Sequence, residues 1–158
     1  MSRGAETIDT VNAALAEPRT AGQRVVFTNG CFDLLHPGHI AGLRAARALG
    51  DILVVGLNSD ESVRELKGTS RPVMSEGARA EMLAELRCVD HVVIFTDSAP
   101  TALLQALRPD VYVKGADWEA KPLPEADIVR ANGGDVAFID LVSGYSTTSI
   151  IEKLRSDA

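Results

Sequence analysis

The sequence predicts an α/β fold: a doubly wound, five-stranded parallel sheet with helices on both faces. Short runs rich in Val, Ile and Leu alternate with amphipathic segments along the 158 residues. The runs are nearly continuous in apolar residues, as strands are when both sheet faces are covered. The segments between them are long enough for right-handed helical crossovers between parallel strands. We therefore expect a single domain over residues 1–158, which is within the usual domain size.

The elements follow in order from this alternation. A weak amphipathic pattern in residues 1–22 predicts a leading helix that ends near Pro18, ahead of a core at residues 23–158. The apolar runs predict strands at Val25–Thr28, Ile52–Leu57, His91–Phe95, Val111–Lys114 and Val136–Ile139. The periodic segments predict helices at Gly38–Leu49, Asp60–Leu66, Ser75–Leu86, Thr101–Leu107, Glu125–Ala131 and Thr147–Leu154. In such a Rossmann-like sheet, ligands bind beyond the carboxyl ends of the strands, so polar residues directly after each strand are the first candidates for a site.

Composition and charge argue against several classes of protein. A net charge of −6 and an aromatic content of 4% disfavour a nucleic-acid partner. No apolar segment approaches membrane-span length and no signal-peptide pattern opens the chain, so we expect no membrane contact and a cytoplasmic location. Cys31 and Cys88 are too few for a disulfide framework or a zinc site. Cys31 is interpreted as a small buried residue rather than a nucleophile, since no base lies at a recognisable spacing.

The most informative stretch is Thr28–His39, between the first predicted strand and the helix that follows it. A polar, glycine-containing loop that enters a helix leaves backbone N–H groups free at the positive end of the helix dipole, which suits a phosphate. His36 and His39 flank a Pro-Gly step at this end, where both can donate to phosphoryl oxygens. An ordinary turn with surface histidines is the alternative, but the strand before and the helix after favour the functional interpretation.

Three further groups extend the candidate site. Lys67 lies at the end of a helix, before a flexible loop that reaches Arg71, with a solvated surface lysine as the alternative. Ser146–Thr148 begins the last helix, either as an ordinary N-cap or as a second phosphate-binding helix start. Arg79 lies on a helix with several glutamates, where i,i+4 pairs are the alternative to a ligand contact.

The absence of several common nucleotide-binding and metal-binding motifs limits the reactions that the protein could catalyse. The sequence has no Walker-type glycine–lysine run, which disfavours a P-loop kinase. It also has no Gly-x-Gly-x-x-Gly after the first strand, which disfavours a dinucleotide oxidoreductase. No acidic cluster predicts protein ligands for a metal, so Mg²⁺ is expected to be held by nucleotide phosphates and water, with Asp33 as a candidate helper. Phosphoryl and nucleotidyl transfer need mainly alignment and charge stabilisation, which histidine, lysine and helix N-termini supply.

Together these motifs resemble the HxGH nucleotidyltransferase superfamily and, within it, the D-glycero-β-D-manno-heptose 1-phosphate adenylyltransferases. The resemblance covers nearly the whole chain. It rests on Thr28–His39, Leu49–Asp51, Gly56–Asp60, Leu66–Gly68, Arg71–Val73, Leu107–Asp110, Val113–Trp118, Ala131–Gly134 and Gly144–Thr148. It implies a parallel α/β fold and an enzyme that transfers AMP from ATP to a heptose 1-phosphate and releases pyrophosphate.

The resemblance also implies residue roles, cofactor and partners. His36, His39 and Lys67 would be catalytic, the histidines by stabilising the transition state and the lysine by binding phosphate. The nucleotide-binding residues would be Thr28, Asn29, Gly30, Phe32, Gly115, Asp117, Ser146, Thr147 and Thr148. The substrate-binding residues would be Asp33, Asn58, Arg71 and Arg79. Mg²⁺ would arrive with ATP, the protein would be a homodimer, and a separate sugar kinase would supply the sugar 1-phosphate, since the kinase domain of two-domain relatives is not in this sequence.

Two alternatives remain open. Cytidylyltransferases that use CTP and glycerol 3-phosphate share the HxGH loop and the Ser-Thr-Thr helix start. They carry an arginine a few residues before that serine, whereas Leu141–Gly144 has none, and the Lys114–Gly115 step also favours the heptose family. One feature departs from the pattern of the heptose family. Met74 and Ser75 stand where a more polar, proline-containing stretch is expected after Arg71–Val73, in the segment that would cover the substrate. A non-catalytic nucleotide-binding module on the same fold is the second alternative, disfavoured because both histidines and Lys67 are retained.

Overall fold

A computed structural model describes residues 4–158, so the first three residues of the predicted leading segment lie outside the described part of the chain. The strands are β1 (Val25–Gly30), β2 (Ile52–Asn58), β3 (His91–Phe95), β4 (Val111–Gly115) and β5 (Asp135–Ile139). The helices are α1 (Ile8–Thr20), α2 (Pro37–Arg47), α3 (Asp60–Lys67), α4 (Glu76–Ala84), α5 (Thr101–Leu107), α6 (Glu125–Ala131) and α7 (Thr147–Ser156), with a 3₁₀ turn at Ala116–Trp118. The predicted elements are therefore present in the predicted order.

All strand pairs are parallel, and their order in the sheet is β3-β2-β1-β4-β5. The chain leaves β1 towards one edge and returns to β4 on the other side of β1, so the order reverses between these two central strands. The doubly wound sheet predicted from the sequence is confirmed. Ligands of such sheets bind beyond the carboxyl ends of the strands at this reversal.

Buried side chains form a separate apolar layer on each face of the sheet. One layer joins Phe27 and Tyr112 of the sheet to residues of α1, α5 and α6, among them Leu15 and Leu104. The other joins Val26 and neighbouring sheet residues to α2 and α4. Helices therefore cover both faces, which explains why the central strands show no apolar–polar alternation.

Most boundaries differ from the prediction by only one or two residues, and two differences have a clear physical reason. Helix α1 continues through Pro18 to Thr20, because a proline in the last turn removes only one helical hydrogen bond and the Arg19 guanidinium donates to the Leu107 carbonyl. Strand β1 continues past Thr28 to Gly30, because Asn29 and Gly30 pair with β2. The polar residues at the start of the predicted phosphate loop are thus held in the sheet.

The described helices do not include a candidate for a membrane span. None between residues 4 and 158 is both long and apolar enough to cross a bilayer.

Candidate active site

Two adjoining depressions open at the carboxyl ends of the strands, and we name them the cleft and the groove. The cleft has a volume of about 360 Å³ and is lined by Asn29, Gly30, Cys31, Phe32, Asp33, His39, Asn58, Leu66, Lys67, Arg71, Ser98, Pro100, Lys114, Trp118, Glu125 and Thr147. The groove has a volume of about 550 Å³ and is lined by His36, Gly38, His39, Lys67 and residues 141–148. His39, Lys67 and Thr147 line both, so they mark the boundary at which ligands in the two depressions would meet.

The two predicted catalytic histidines form a stacked pair at the start of α2. The His36 and His39 ring centroids lie 3.7 Å apart with 20° between the ring planes. His36 is the N-cap of α2, and its Nδ1 accepts a hydrogen bond from the His39 backbone N–H at 3.3 Å. Because Nδ1 is the acceptor, a neutral His36 carries its proton on Nε2. The N-cap role and a donor role are therefore compatible in the same ring.

Burial favours the neutral form of both histidines in the free protein. Burial lowers the pKa of His36 below its usual value of 6.5. Burial, reinforced by the nearby His36 and Lys67, lowers the pKa of His39 to about 4. A neutral imidazole still donates one N–H, so each ring retains a hydrogen bond for a phosphoryl oxygen.

The glycine of the histidine motif is required by contact with the first histidine. A Cβ placed on Gly38 would lie 2.9 Å from Cε1 and 3.0 Å from Nδ1 of His36. Any larger residue at this position must therefore displace the His36 ring. The motif needs glycine for space rather than for backbone conformation.

The loop between β1 and α2 contains two non-glycine residues in the left-handed region. Phe32 and Leu34 both have φ of 45°, a conformation that costs on the order of 1 kcal/mol or more per residue and persists only when its surroundings impose it. Arg79 Nη1 donates to the Cys31 carbonyl at 2.6 Å, and Thr147 Oγ1 donates to the Asp33 carbonyl at 2.8 Å. Helices α4 and α7 thus hold the loop from two sides.

Asp33, predicted to contact the sugar, is an internal anchor in the structure. Only 1% of its surface is exposed. Its carboxylate accepts hydrogen bonds from Arg71 Nε at 2.9 Å and from the backbone N–H groups of Val73 at 2.8 Å and Met74 at 3.1 Å. Although burial opposes ionisation, these donors lower the pKa of Asp33. Asp33 is among the residues that line the cleft, and its carboxylate fixes the segment after α3 against the β1–α2 loop.

Arg79, also predicted to bind substrate, is not brought to the surface of the cleft. It is 1% exposed, and its guanidinium donates to the carbonyls of Met74 at 3.0 Å and Asn58 at 2.9 Å in addition to Cys31. It also forms an ion pair with Asp60 at 2.7 Å. Arg79 therefore joins α4 to the ends of β1 and β2, and its part in the site is to support the loop.

Two further predicted residues use their polar groups within the fold. Thr28 Oγ1 donates to the Val113 carbonyl at 3.0 Å, which links β1 to β4. Asn58 lines the cleft, but its amide Nδ2 donates to Ser62 Oγ at 2.9 Å. Asn29, Gly30, Phe32, Lys67 and Arg71 do line the cleft, as the sequence predicted.

Strand β4 brings Lys114 to the cleft instead of the predicted Gly115 and Asp117, which are not among the residues lining the cleft or the groove. The Lys114 ammonium lies 4.5 Å from the centroid of the Trp118 ring, and Glu125 lines the same wall. Burial lowers the pKa of Lys114. Sequence analysis assigned Lys114 no role in binding, although a lysine inside an apolar strand was a signal that could have found it.

At the start of α7 the structure shows the N-cap, which was one of the two alternatives left open by the sequence. Ser146 is the N-cap, and its Oγ accepts from the Ser149 backbone N–H at 3.0 Å in a capping box. Thr147 contacts the β1–α2 loop and lines both depressions, and Thr148 lines the groove. The helix start thus faces the groove with its capping hydroxyl already used, which leaves first-turn N–H groups for an anion.

Comparisons with known proteins identify the family of the chain. Residues 27–153 match the family model described as cytidylyltransferase-like. The chain is 52% identical over 146 residues to the bifunctional protein HldE of Syntrophotalea carbinolica, covering 92% of this chain and 30% of that protein. It is 55% identical over 139 residues to the bifunctional protein HldE of a Bradyrhizobium species, covering 88% of this chain and 28% of that protein. The chain therefore spans a little under a third of the length of these curated relatives.

Solved structures share the same fold. A lipopolysaccharide core biosynthesis protein from Thermoplasma volcanium superposes with a TM-score of 0.64 at 28% identity, covering 79% of this chain and 100% of that one. A pantothenate synthetase from Thermus thermophilus superposes with a TM-score of 0.61 at 17% identity, covering 99% of this chain and 70% of that one. At that identity the second likeness shows the fold alone.

Proposed function

Because the chain belongs to the cytidylyltransferase-like family of nucleotidyltransferases, we propose that it transfers AMP from ATP to a heptose 1-phosphate. The products are an ADP-heptose and pyrophosphate. The choice of ATP and of a heptose rests on the family resemblance of the motifs. The more than 50% identity to HldE proteins over most of the chain supports it.

One observation carries the proposal: the stacked histidines lie beside the boundary between two ligand-sized depressions. His39, Lys67 and Thr147 line both the cleft and the groove. A transfer between two substrates requires the reacting atoms of both to meet at one place, held in line. We assign the sugar phosphate to the cleft and the nucleotide to the groove, with the α-phosphorus at the boundary. This assignment places Asn29, Gly30 and Phe32, which the resemblance gave to the nucleotide, beside the sugar phosphate instead.

The reaction needs no general base. An ionised oxygen of the sugar 1-phosphate attacks the α-phosphorus of ATP and forms a new P–O bond. The bond from the α-phosphorus to the bridging β-phosphate oxygen breaks, and pyrophosphate leaves with the electron pair. Neutral His36 and His39 donate N–H groups to phosphoryl oxygens, and Lys67 adds a positive charge. The lowered pKa values of the histidines therefore suit donors better than acids or bases.

Mg²⁺ is expected to be bound mainly by the triphosphate and water. Residues 4–158 contain no group of three or more His, Cys, Asp or Glu side chains arranged to hold a metal ion. Asp33, the candidate helper, already has both carboxylate oxygens hydrogen-bonded. When bound, the ion would offset the charge of the leaving pyrophosphate.

The partners follow from the resemblance as part of the proposal. A sugar kinase supplies the heptose 1-phosphate, and two copies of the protein form a dimer. The sugar is acted on in the cytoplasm, where ATP is available.

Pyrophosphate release with Mg²⁺ tests the proposed substrates. ATP and CTP are each combined with D-glycero-β-D-manno-heptose 1-phosphate and with glycerol 3-phosphate. Release only with ATP and the heptose supports the proposal. Release with CTP and glycerol 3-phosphate would assign the chain to the cytidylyltransferase alternative. ATP binding without release from a wider panel of sugar phosphates would instead support a non-catalytic module.

A further inference from the structure

We propose that Tyr112 is a positioning residue that holds the side-chain amide of Asn29 with its NH₂ group presented to the cleft, where it donates to the sugar phosphate. The identity of this ligand rests on the proposed function. The pairing of Tyr112 with Asn29 is independent of it.

Tyr112 is a buried tyrosine in the centre of the sheet. It lies on β4 with 0% of its surface exposed, and its ring packs against Phe27 with the centroids 5.8 Å apart. Its hydroxyl donates to Asn29 Oδ1 at 2.8 Å. Burial, together with nearby Glu125, raises the pKa of Tyr112, so the hydroxyl keeps its proton and stays a donor. A buried tyrosine hydroxyl needs a partner, and here that partner is a residue of the cleft.

This bond determines which end of the Asn29 amide meets a ligand. A phenol oxygen can also accept, but an amide turned the other way would leave the buried Tyr112 proton without an acceptor among the described residues. The amide oxygen is therefore the acceptor, and Nδ2 takes the other position. Asn29 lines the cleft, and its Nδ2 has no hydrogen bond to the described residues. The buried side-chain atoms without a partner in residues 4–158 are Asn12 Oδ1 and His39 Nδ1, so Asn29 Nδ2 is accessible. The protein therefore presents an unpaired donor at this point of the cleft.

The surroundings suit an anionic, oxygen-rich ligand. Lys67, Arg71 and Lys114 line the same cleft. An NH₂ group donates to phosphate oxygens, whereas an amide oxygen in the same place repels them. Without the Tyr112 hydroxyl, no hydrogen bond from the described residues holds the amide in either orientation. Tyr112 thus selects the orientation that binds phosphate, although it is itself too deeply buried to touch a ligand.

Kinetics of a double-mutant cycle test this role. Tyr112→Phe keeps the ring and removes only the hydroxyl. We expect the KM for the sugar 1-phosphate to rise about fivefold, a typical effect of one hydrogen bond, with kcat and the KM for ATP changed by less than about twofold. Asn29→Ala should raise the same KM about tenfold, and adding Tyr112→Phe to it should have no further effect. Independent, multiplying effects of the two changes would overturn the proposal.

Phe27→Leu is the matched control for packing. It disturbs the same aromatic contact and leaves the hydroxyl of Tyr112 in place. We expect a lower melting temperature and an unchanged KM for the sugar 1-phosphate. A rise in KM equal to that of Tyr112→Phe would show that loosened packing is the cause, and would overturn the positioning role.

A second readout separates this inference from the proposed function. In the ¹⁵N-labelled full chain, the side-chain NH₂ signals of Asn29 are followed during titration with inorganic phosphate. We expect them to shift in the wild type and in Phe27→Leu, and to need a severalfold higher phosphate concentration in Tyr112→Phe. Equal titrations in all three proteins, or no shift in the wild type, would overturn the inference whether or not the protein releases pyrophosphate.

Discussion

His39 is a neutral hydrogen-bond donor at physiological pH, because burial, His36 and Lys67 lower its pKa to about 4. Its Nδ1 is buried without a partner in the described residues, and its ring lies against that of His36. A bound phosphoryl oxygen would accept the hydrogen bond that the neutral ring donates.

Removing the His39 ring tests its role directly. We expect His39→Ala to lower the rate of pyrophosphate release by about two orders of magnitude or more, as for loss of one preorganised donor at a transition state. The melting temperature and circular dichroism should remain those of a folded protein. A folded variant with nearly normal turnover would contradict the assigned role.

The lowered pKa of His39 also predicts how stability depends on pH. Between the unfolded value of 6.5 and the folded value of about 4, the unfolded chain takes up a proton that the folded chain does not. The free energy of unfolding should therefore fall as the pH is lowered through this range, and His39 should have no such effect above it. Urea unfolding at pH 7 and pH 5 measures the difference. His39→Gln should show a smaller decrease than the wild type, and equal decreases would contradict the pKa shift.

Among elements, the β1–α2 loop depends on contacts from parts of the chain that are distant in sequence. Arg79 of α4 and Thr147 of α7 hold carbonyls of this loop, and Asp33 holds the segment before α4. The sequence predicted Asp33 and Arg79 as substrate-binding residues but not these internal contacts, because their partners are distant in sequence and meet only in the folded chain. The strand–helix alternation, by contrast, is local, and it predicted the sheet and the position of the histidine pair.

Replacing Arg79 should therefore loosen the site as well as the fold. Arg79→Met keeps an unbranched side chain but removes four hydrogen bonds, including the ion pair with Asp60. We expect it to lower the free energy of unfolding by about 2–4 kcal/mol and to reduce turnover. Arg64→Met on the exposed face of α3 is the control, with an expected change within about 0.5 kcal/mol. Similar stabilities for the two variants would show that the hydrogen bonds of Arg79 do not stabilise the fold.

The start of α2 allows a test of the requirement for glycine beside the His36 ring. Alanine is favoured over glycine inside helices by about 1 kcal/mol. At Gly38, however, its Cβ would lie 2.9 Å from the His36 ring, whereas at Gly42 it would lie 3.6 Å from Ile139. Gly38→Ala should therefore displace His36 and lower turnover, and Gly42→Ala should keep full activity. The two variants are compared by pyrophosphate release and melting temperature, and full activity of Gly38→Ala would contradict the requirement for space.

In the whole molecule, the strand order β3-β2-β1-β4-β5 places the candidate site where β1 and β4 lie side by side. From β1 come Asn29 and the histidine loop, and from β4 come Lys114 and, beneath the surface, Tyr112. The sequence indicated that polar residues follow these strands. It did not indicate which side chains turn into the cleft, because that depends on register and on the extension of β1 to Gly30. Lys114, which lines the cleft, was not predicted as a site residue for this reason.

Following the oxygen atoms of the sugar phosphate tests most directly whether the protein transfers AMP from ATP to a sugar 1-phosphate. A sugar 1-phosphate labelled with ¹⁸O in its phosphate group is incubated with ATP, Mg²⁺ and the protein, and the products are analysed by mass spectrometry. If the sugar phosphate attacks the α-phosphorus of ATP, all of the label remains in the ADP-sugar and none enters pyrophosphate. Label in pyrophosphate, or conversion of ATP to ADP with a doubly phosphorylated sugar, would contradict adenylyl transfer at this site.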